Sequence, residues 1–264
     1  MIRLDKYFSE QGIKSRSEIK EDIKKGFVKV NGEVVKAADF KLNEASDKVE
    51  YKGEAVHYEK YVYYILNKPV DCVTARSDGR DKTVMDLIED KRSDLSPVGR
   101  LDKDTSGLLI ITNDGELNHK LMSPKGHVPK TYFAEVLGEL ADNAAELFEA
   151  GLDIGDDKPC KPAKLCLMEY DKNCCYFSDD LANPVNEKNS DGKKSFAEIT
   201  ITEGRYHQVK RMVAAVGGEV VKLKRVAIGA LTLPSDLAEG DYKKVSLEYL
   251  NEHIFCTHGG NNGI

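Results

Sequence analysis

The hydrophobic positions change period twice within the first fifty residues. Leu4, Tyr7 and Phe8 recur at helical spacing, and Gly12 ends that helix. Ser15-Arg16-Ser17-Glu18 has the form of a capping box, with the Ser15 hydroxyl accepting the Glu18 amide N–H while the carboxylate reaches back. The helix it opens buries Ile19 and Ile23 and stops at Gly26. Val28-Lys29-Val30 then alternates as a strand does, Asn31-Gly32 supplies the φ > 0 residues of a tight hairpin, and Glu33-Val34-Val35 returns. Asp47-Lys48-Val49-Glu50-Tyr51 predicts a last strand. These elements make a small α/β module over residues 1–52, with 53–60 as a polar linker.

From Tyr61 the pattern is strand-rich. Tyr61-Val62-Tyr63-Tyr64-Ile65-Leu66 is an apolar, aromatic run ending on Asn67-Lys68-Pro69. Further strands are predicted at 108–112, 131–136, 164–168, 174–177 and 195–202, and short helices at 83–88, 116–122, 143–150 and 206–216. Strands outnumber regular βαβ alternation, which favours an α+β domain with a mainly antiparallel mixed sheet over a doubly wound one. This domain is expected over 61–250, with 179–195 as a polar excursion between two strands and 251–264 as a tail.

Composition alters this picture little. No apolar run approaches the ~20 residues that span a bilayer, and Met1-Ile2-Arg3-Leu4-Asp5-Lys6 turns charged at once, unlike a secretory signal. A cytoplasmic protein with no membrane partner is expected. The six cysteines, at 72, 160, 166, 174, 175 and 256, include no C-x-x-C pair and suit reduced thiols. His253, Cys256 and His258 precede a Gly- and Asn-rich end, so no metal site is expected there.

Charge alters it more. The net charge of −6 argues against a generally basic surface, yet positive charge is clustered. Arg16, Lys20 and Lys24 fall four apart on the second helix, with Glu18, Glu21 and Asp22 toward its far side. Such a run is most often a solvated face; its sorting by sign suits an RNA backbone. Between Arg205 and Arg225 stand six Lys or Arg residues against the single acid Glu219. Lys210 and Arg211 lie in the first turns of the helix predicted at 206–216, where cations oppose the macrodipole. A carboxylate or phosphate partner would explain them.

Gly99-Arg100-Leu101-Asp102-Lys103-Asp104-Thr105-Ser106-Gly107 is a polar loop delivering an apolar strand, the kind of place where catalytic side chains are held. Local physics alone favours an ordinary turn whose aspartates cap amides, and an aromatic strand residue of the core for Tyr132. The order helix, helix, Val-x-Val-Asn-Gly hairpin resembles the S4 RNA-binding domain. Gly99-Arg100-Leu101-Asp102 resembles the aspartate motif of the RsuA/RluA group of pseudouridine synthases, Lys130-Thr131-Tyr132 their Lys-x-Tyr motif, and Asn67-Lys68-Pro69 their first motif. Glu203 to Met212, continuing to Gly217, and Lys161-Pro162-Ala163 are similar to the RsuA branch, which acts on small-subunit ribosomal RNA.

The resemblance implies an S4 module joined to a bent, mainly antiparallel sheet holding the cleft. Asp102 would be the catalytic carboxylate, attacking C1′ or removing a C2′ proton. Lys210 would pair with Asp102, and Asp104 would have no chemical part. Tyr132 would stack on the base and help take the C5 proton. Arg100, Arg16, Lys20, Lys24, Arg205 and Arg211 would contact RNA. Neither cofactor nor metal is implied, and the partner would be ribosomal RNA, within the small subunit or an assembly intermediate, met by a monomer. The rival classes are a noncatalytic S4-type RNA-binding protein, a related synthase acting on large-subunit RNA, and a glycosidase-like hydrolase. The last needs two carboxylates flanking a bond, and Asp102 with Asp104 supply no clear geometry for it.

Overall fold

The capping box forms as the sequence predicts: the Ser15 side chain accepts the Glu18 N–H, and the Glu18 carboxylate accepts the Ser15 N–H at 3.0 Å. Such a cap stabilises a helix by about 1 kcal/mol. It starts α2 (Arg16–Lys24), which follows β1 (Ile2–Arg3) and α1 (Leu4–Glu10). Asn31 and Gly32 take the left-handed backbone of the hairpin joining β2 (Val28–Val30) to β3 (Glu33–Val34). β4 (Lys41–Leu42) pairs with β1, and β5 (Val49–Tyr51) with β2. Leu4, Tyr7, Phe8, Ile19, Ile23, Val28, Val30, Leu42 and Val49 form the core of this module.

Two boundaries differ from expectation. Lys52 and Gly53, both at positive φ, make a second tight hairpin, so β6 (Glu54–Val56) adds to β5 where a linker was predicted. In the computed structural model, which describes residues 1–123, 126–168 and 194–255, the first compact unit is Met1–Val62 together with Ile88–Ser96. Ile88 and Leu95 are buried there, and the Arg92 guanidinium donates to the Glu59 carbonyl at 2.6 Å and to Gln11 Oε1 at 3.0 Å. No run of apolar positions marks the 88–96 segment, so the sequence pattern alone does not separate it from the larger domain.

The second unit holds Tyr63–Leu87 and the chain from Pro97. Its strands are β7 (Tyr63–Lys68), β8 (Ser96–Pro97), β9 (Thr105–Thr112), β10 (Lys130–Leu137), β11 (Lys164–Met168), β12 (Lys194–Ile201), β13 (Glu219–Ile228), β14 (Leu231–Thr232) and β15 (Tyr242–Val245). The main sheet runs β11-β12-β10-β13-β9-β7-β15. Every neighbouring pair in that order is antiparallel except β13 and β9, which are parallel over Leu223↔Thr105, Lys224↔Ser106 and Arg225↔Gly107. β7 and β9 are buried along their whole length, as strands covered on both faces must be. The fold is α+β with a mixed, mostly antiparallel sheet.

The helices are α3 (Gly115–Met122), α4 (Ala144–Ala150), α5 (Gln208–Ala215) and α6 (Leu247–Phe255). The helix predicted at 83–88 is a single 3-10 turn, Val84–Leu87. Asp114 caps α3 through the amides of Glu116 and Leu117, and its other carboxylate oxygen accepts the Tyr63 hydroxyl at 2.8 Å. The tail assigned to 251–264 begins as structure. α6 runs to Phe255 and buries Leu250 and Ile254 with Ile65, Ile110, Ile228 and Leu231.

Cys72, Cys160 and Cys166 are free thiols. The predicted strand at 174–177, most of the 179–195 excursion, Cys256 and His258 lie outside the described residues. Among those described, no helix is long and apolar enough to cross a membrane, and no group of three or more His, Cys, Asp or Glu side chains is placed to hold a metal ion.

Candidate active site

The Asp102 loop is fixed from below. Lys68, at the end of β7 with no solvent exposure, donates from Nζ to the carbonyls of Pro69 (2.8 Å), Lys103 (3.3 Å) and Thr105 (2.9 Å). Burial pushes its ammonium down to about 8, against the pull of Cys72, Asp104 and Asp102. The Thr74 hydroxyl donates to the Leu101 carbonyl and accepts the Leu101 N–H, which locks the residue before Asp102. The Thr105 N–H closes the turn on the Asp102 carbonyl at 3.1 Å. At the start of β9, Gly107 takes φ +104, and a Cβ there would meet the backbone of Arg225. Glycine is what lets β13 approach β9 closely enough to pair.

Asp102, Tyr132, Lys210 and Arg100 line one cavity of about 640 Å³, ample for a nucleotide. Tyr132 is buried in its wall on β10, and the Asp102 side chain is 32% exposed. Nε2 of His207 lies 3.6 Å from Asp102 Oδ1. His207 occupies the residue before α5 in the left-handed region, at φ 48 and ψ 34, and stacks on the exposed Tyr206 ring at 4.0 Å between centroids. A non-glycine residue there stores strain, and such strain concentrates at functional sites. Nothing in the sequence pattern had singled out His207.

Lys210 reaches Asp102 and a second, closer aspartate besides. Its Nζ sits 2.6 Å from both carboxylate oxygens of Asp104 and 4.0 Å from Asp102 Oδ2. Its close partner is the aspartate that had been assigned no part. Burial raises the Asp104 carboxyl, but the Lys210 hydrogen bond and charge outweigh it and hold the group below its ordinary value. Lys210 thus bridges the loop, gripping Asp104 and leaving its field on Asp102.

Arg205 and Arg211 have partners within the protein. Arg205 donates to the carbonyls of Lys158 and Pro159, each at 2.6 Å, and pairs with Asp156 and Glu203. Arg211 donates to Asp156 at 2.6 Å and to the carbonyls of Ile154 and Tyr206. Both guanidinium groups are engaged in holding the 154–159 loop, and Arg205 also lines the cavity. The partners that helix-start cations demand are carboxylates, Asp104 for Lys210 and Asp156 for Arg211. Lys222 and Lys224 pair with Glu135 and Glu239 in turn. Most of the basic patch is therefore neutralised within the protein.

The stripe on α2 is partly structural as well. Buried Asp5 takes Arg3 at 3.1 Å, Arg16 at 3.4 Å and Lys20 at 3.8 Å. Its burial raises the carboxyl, and the bonds and charges of Arg3 and Arg16 bring it below the ordinary value. Three cations on one anion leave net positive charge, to which exposed Lys24 adds.

A sequence model described as RNA pseudouridylate synthase matches residues 62–215, and one described as the S4 domain matches residues 2–49. The chain is 38% identical over 95% of its length to an uncharacterized RNA pseudouridine synthase of Bacillus subtilis, covering 97% of that protein. It is 36% identical over 94% of its length to the ribosomal small subunit pseudouridine synthase A of Escherichia coli, covering 97% of it. It is 38% identical over 99% of its length to the ribosomal large subunit pseudouridine synthase B of B. subtilis, again covering 99%. Among solved structures, a pseudouridylate synthase is 33% identical with a TM-score of 0.60, covering 96% of this chain and all of the other.

Proposed function

Because the chain belongs to the RNA pseudouridylate synthase family, we propose that it converts a uridine of ribosomal RNA to pseudouridine, with Asp102 as the catalytic carboxylate. The supporting observation is that Asp102, on the loop that leads into β9, and Tyr132, on β10, line the same nucleotide-sized cavity. The carboxylate is open enough to reach a ribose. It either attacks C1′ or removes the C2′ proton, and in both routes uracil leaves with the electron pair of the C1′–N1 bond. The base turns, C5 bonds to C1′, and the C5 proton departs. Tyr132 presents a flat ring to the base and a hydroxyl for that proton. Lys210 keeps positive potential on Asp102, and the His207 ring stands beside the carboxylate. Exposed Arg100, at the rim, takes the RNA backbone or the gap left by the extruded base. No organic cofactor or metal is called on, since a carboxylate and a phenol account for every bond made and proton moved.

The S4-like module, residues 1–62 with 88–96, holds structured RNA through Lys24 and the cations around Asp5. We place the protein in the cytoplasm as a monomer. Its substrate is small-subunit RNA, within the subunit or an assembly intermediate. The Lys161-Pro162-Ala163 and Glu203 to Met212 segments support that choice; the identity to a large-subunit synthase supports the other subunit. Mapping pseudouridines in both ribosomal RNAs from a strain lacking this protein decides between them, by which one loses a site. Loss from neither would refute the ribosomal reading. In vitro, RNA tritiated at uridine C5 should release tritium with the wild type and none with Asp102→Asn, at similar RNA affinity. Turnover of a few per cent in that variant would remove Asp102 from the mechanism.

A further inference from the structure

Among the six cations between Arg205 and Arg225, Arg205, Lys210, Arg211, Lys222 and Lys224 each have a carboxylate within 4 Å. Arg225 is the exception among the described residues. It is 4% exposed and lines the cavity. Its Nε donates to the Leu108 carbonyl at 2.7 Å, and its buried Nη2 has no partner. A buried guanidinium with an unmade hydrogen bond is costly to a fold, so one that persists in a binding cleft points to a partner that arrives with the ligand.

The register says where that partner lies. Arg225 stands opposite Tyr132 across the β10–β13 ladder, so their side chains project from the same face of the sheet. Asp102 is open at 32%, whereas Tyr132 and Arg225 lie deeper. A nucleotide whose ribose reaches Asp102 and whose base lies on Tyr132 therefore brings the edge of the base, rather than a phosphate, toward Arg225. Lys130, also lining the cavity, is pushed down to about 8 by burial and then by the Arg225 charge, so this corner is both desolvated and cationic.

We propose that Arg225 is a further catalytic residue: its guanidinium binds a carbonyl oxygen of the target uracil and stabilises the negative charge that collects there when the glycosidic bond breaks. The electron pair of the C1′–N1 bond leaves with uracil and delocalises onto O2 and O4, where a charged donor acts most strongly in a desolvated site. As C5 bonds to C1′ the charge returns to the ring and the contact weakens. The inference rests on the isomerase reading above.

The test uses the full chain and a synthetic ribosomal RNA fragment carrying the mapped uridine, beside the same fragment made abasic at that nucleotide. Wild-type protein that releases no C5 tritium from the uridine fragment refutes the isomerase reading itself. If the wild type is active, Arg225→Met should lower the single-turnover rate about 100-fold or more, the loss typical of removing a charge-stabilising donor. Its affinity for the abasic fragment should stay within about twofold, while its preference for uridine over abasic RNA shrinks. Equal loss of affinity for both fragments would mean a phosphate contact. A rate loss below about tenfold, or an unchanged preference, would mean a structural arginine; each result overturns the proposal. Should Arg225→Met lack a cooperative unfolding transition, Arg225→Lys decides. A single ammonium nitrogen cannot stand at both the Nε position that reaches Leu108 and the Nη2 position assigned to the base, so a rate loss of at least about fivefold is expected, and anything smaller overturns the assignment.

Discussion

Lys68 gives a prediction whose size can be worked from the structure. Its ammonium has no solvent exposure and is pushed from 10.5 to about 8, with burial the leading cause. At 1.36 kcal/mol per pK unit, holding it charged in the fold costs about 3 kcal/mol relative to the unfolded chain. In return it makes three hydrogen bonds to carbonyls, each worth about 1.5–3 kcal/mol for a charged donor. The folded pKa lies below the unfolded one. Its titration therefore favours folding fully above pH 10.5, and that contribution is lost as pH falls to about 8. Urea unfolding of the wild type and Lys68→Met at several pH values tests this, because every other titrating group, Lys130 included, is common to both. The stability difference, wild type minus variant, should rise by about 3 kcal/mol between pH 8 and 10.5. At neutral pH the variant should lose most of its tritium release, since the Lys103 and Thr105 carbonyls are then unheld. A pH-independent stability difference, or full activity in Lys68→Met, would refute the buried charge as the support of the Asp102 loop.

Lys210→Met should lower kcat by about tenfold or more with little change in KM, and Lys210→Arg should restore part of it; a rise in KM alone would make Lys210 a phosphate contact. Asp104→Asn, which weakens the closer of the two grips on Lys210, should lower kcat by less than Lys210→Met but measurably, and a rate equal to wild type would remove Asp104 from the site. Lys24→Ala should reduce the salt slope of RNA binding by about 0.7–0.9 with unfolding unchanged, whereas Arg16→Ala should lower stability too because Asp5 loses a partner; an unchanged slope for Lys24→Ala would make it a solvated lysine only.

What the sequence made legible was local or carried by motif. The Ser15–Glu18 box and the Asn31-Gly32 hairpin need only neighbours within a few residues, and both form as predicted. The Lys52-Gly53 hairpin carries a weaker signal, since Lys is an uncommon residue at positive φ, and 53–60 therefore reads as a polar linker in the sequence. The choice between Asp102 and Asp104 as the close partner of Lys210 depends on a turn closed by one N–H bond, which spacing cannot reveal. Arg211 is a cation without a visible acid in the sequence, and Arg205 shows only Glu203, because Asp156 lies some fifty residues earlier. Lys68 did leave a trace, a lysine at the end of an all-apolar strand and before a proline, but nothing in that pattern said that it faces inward. The strained backbone of His207 left none.

The parallel seam between β9 and β13 has a consequence for the order of assembly. The Lys210–Asp104 contact joins residues 106 apart and the Arg225–Leu108 contact residues 117 apart. Contacts of such span close large loops and form late. The helix-and-hairpin module, by contrast, is complete within 62 residues but for the 88–96 strap. During synthesis from the N-terminus that module can meet RNA while β13 has yet to be made. An interrupted chain would then hold RNA without the cleft that modifies it, so catalytic competence is a property of the finished polypeptide alone.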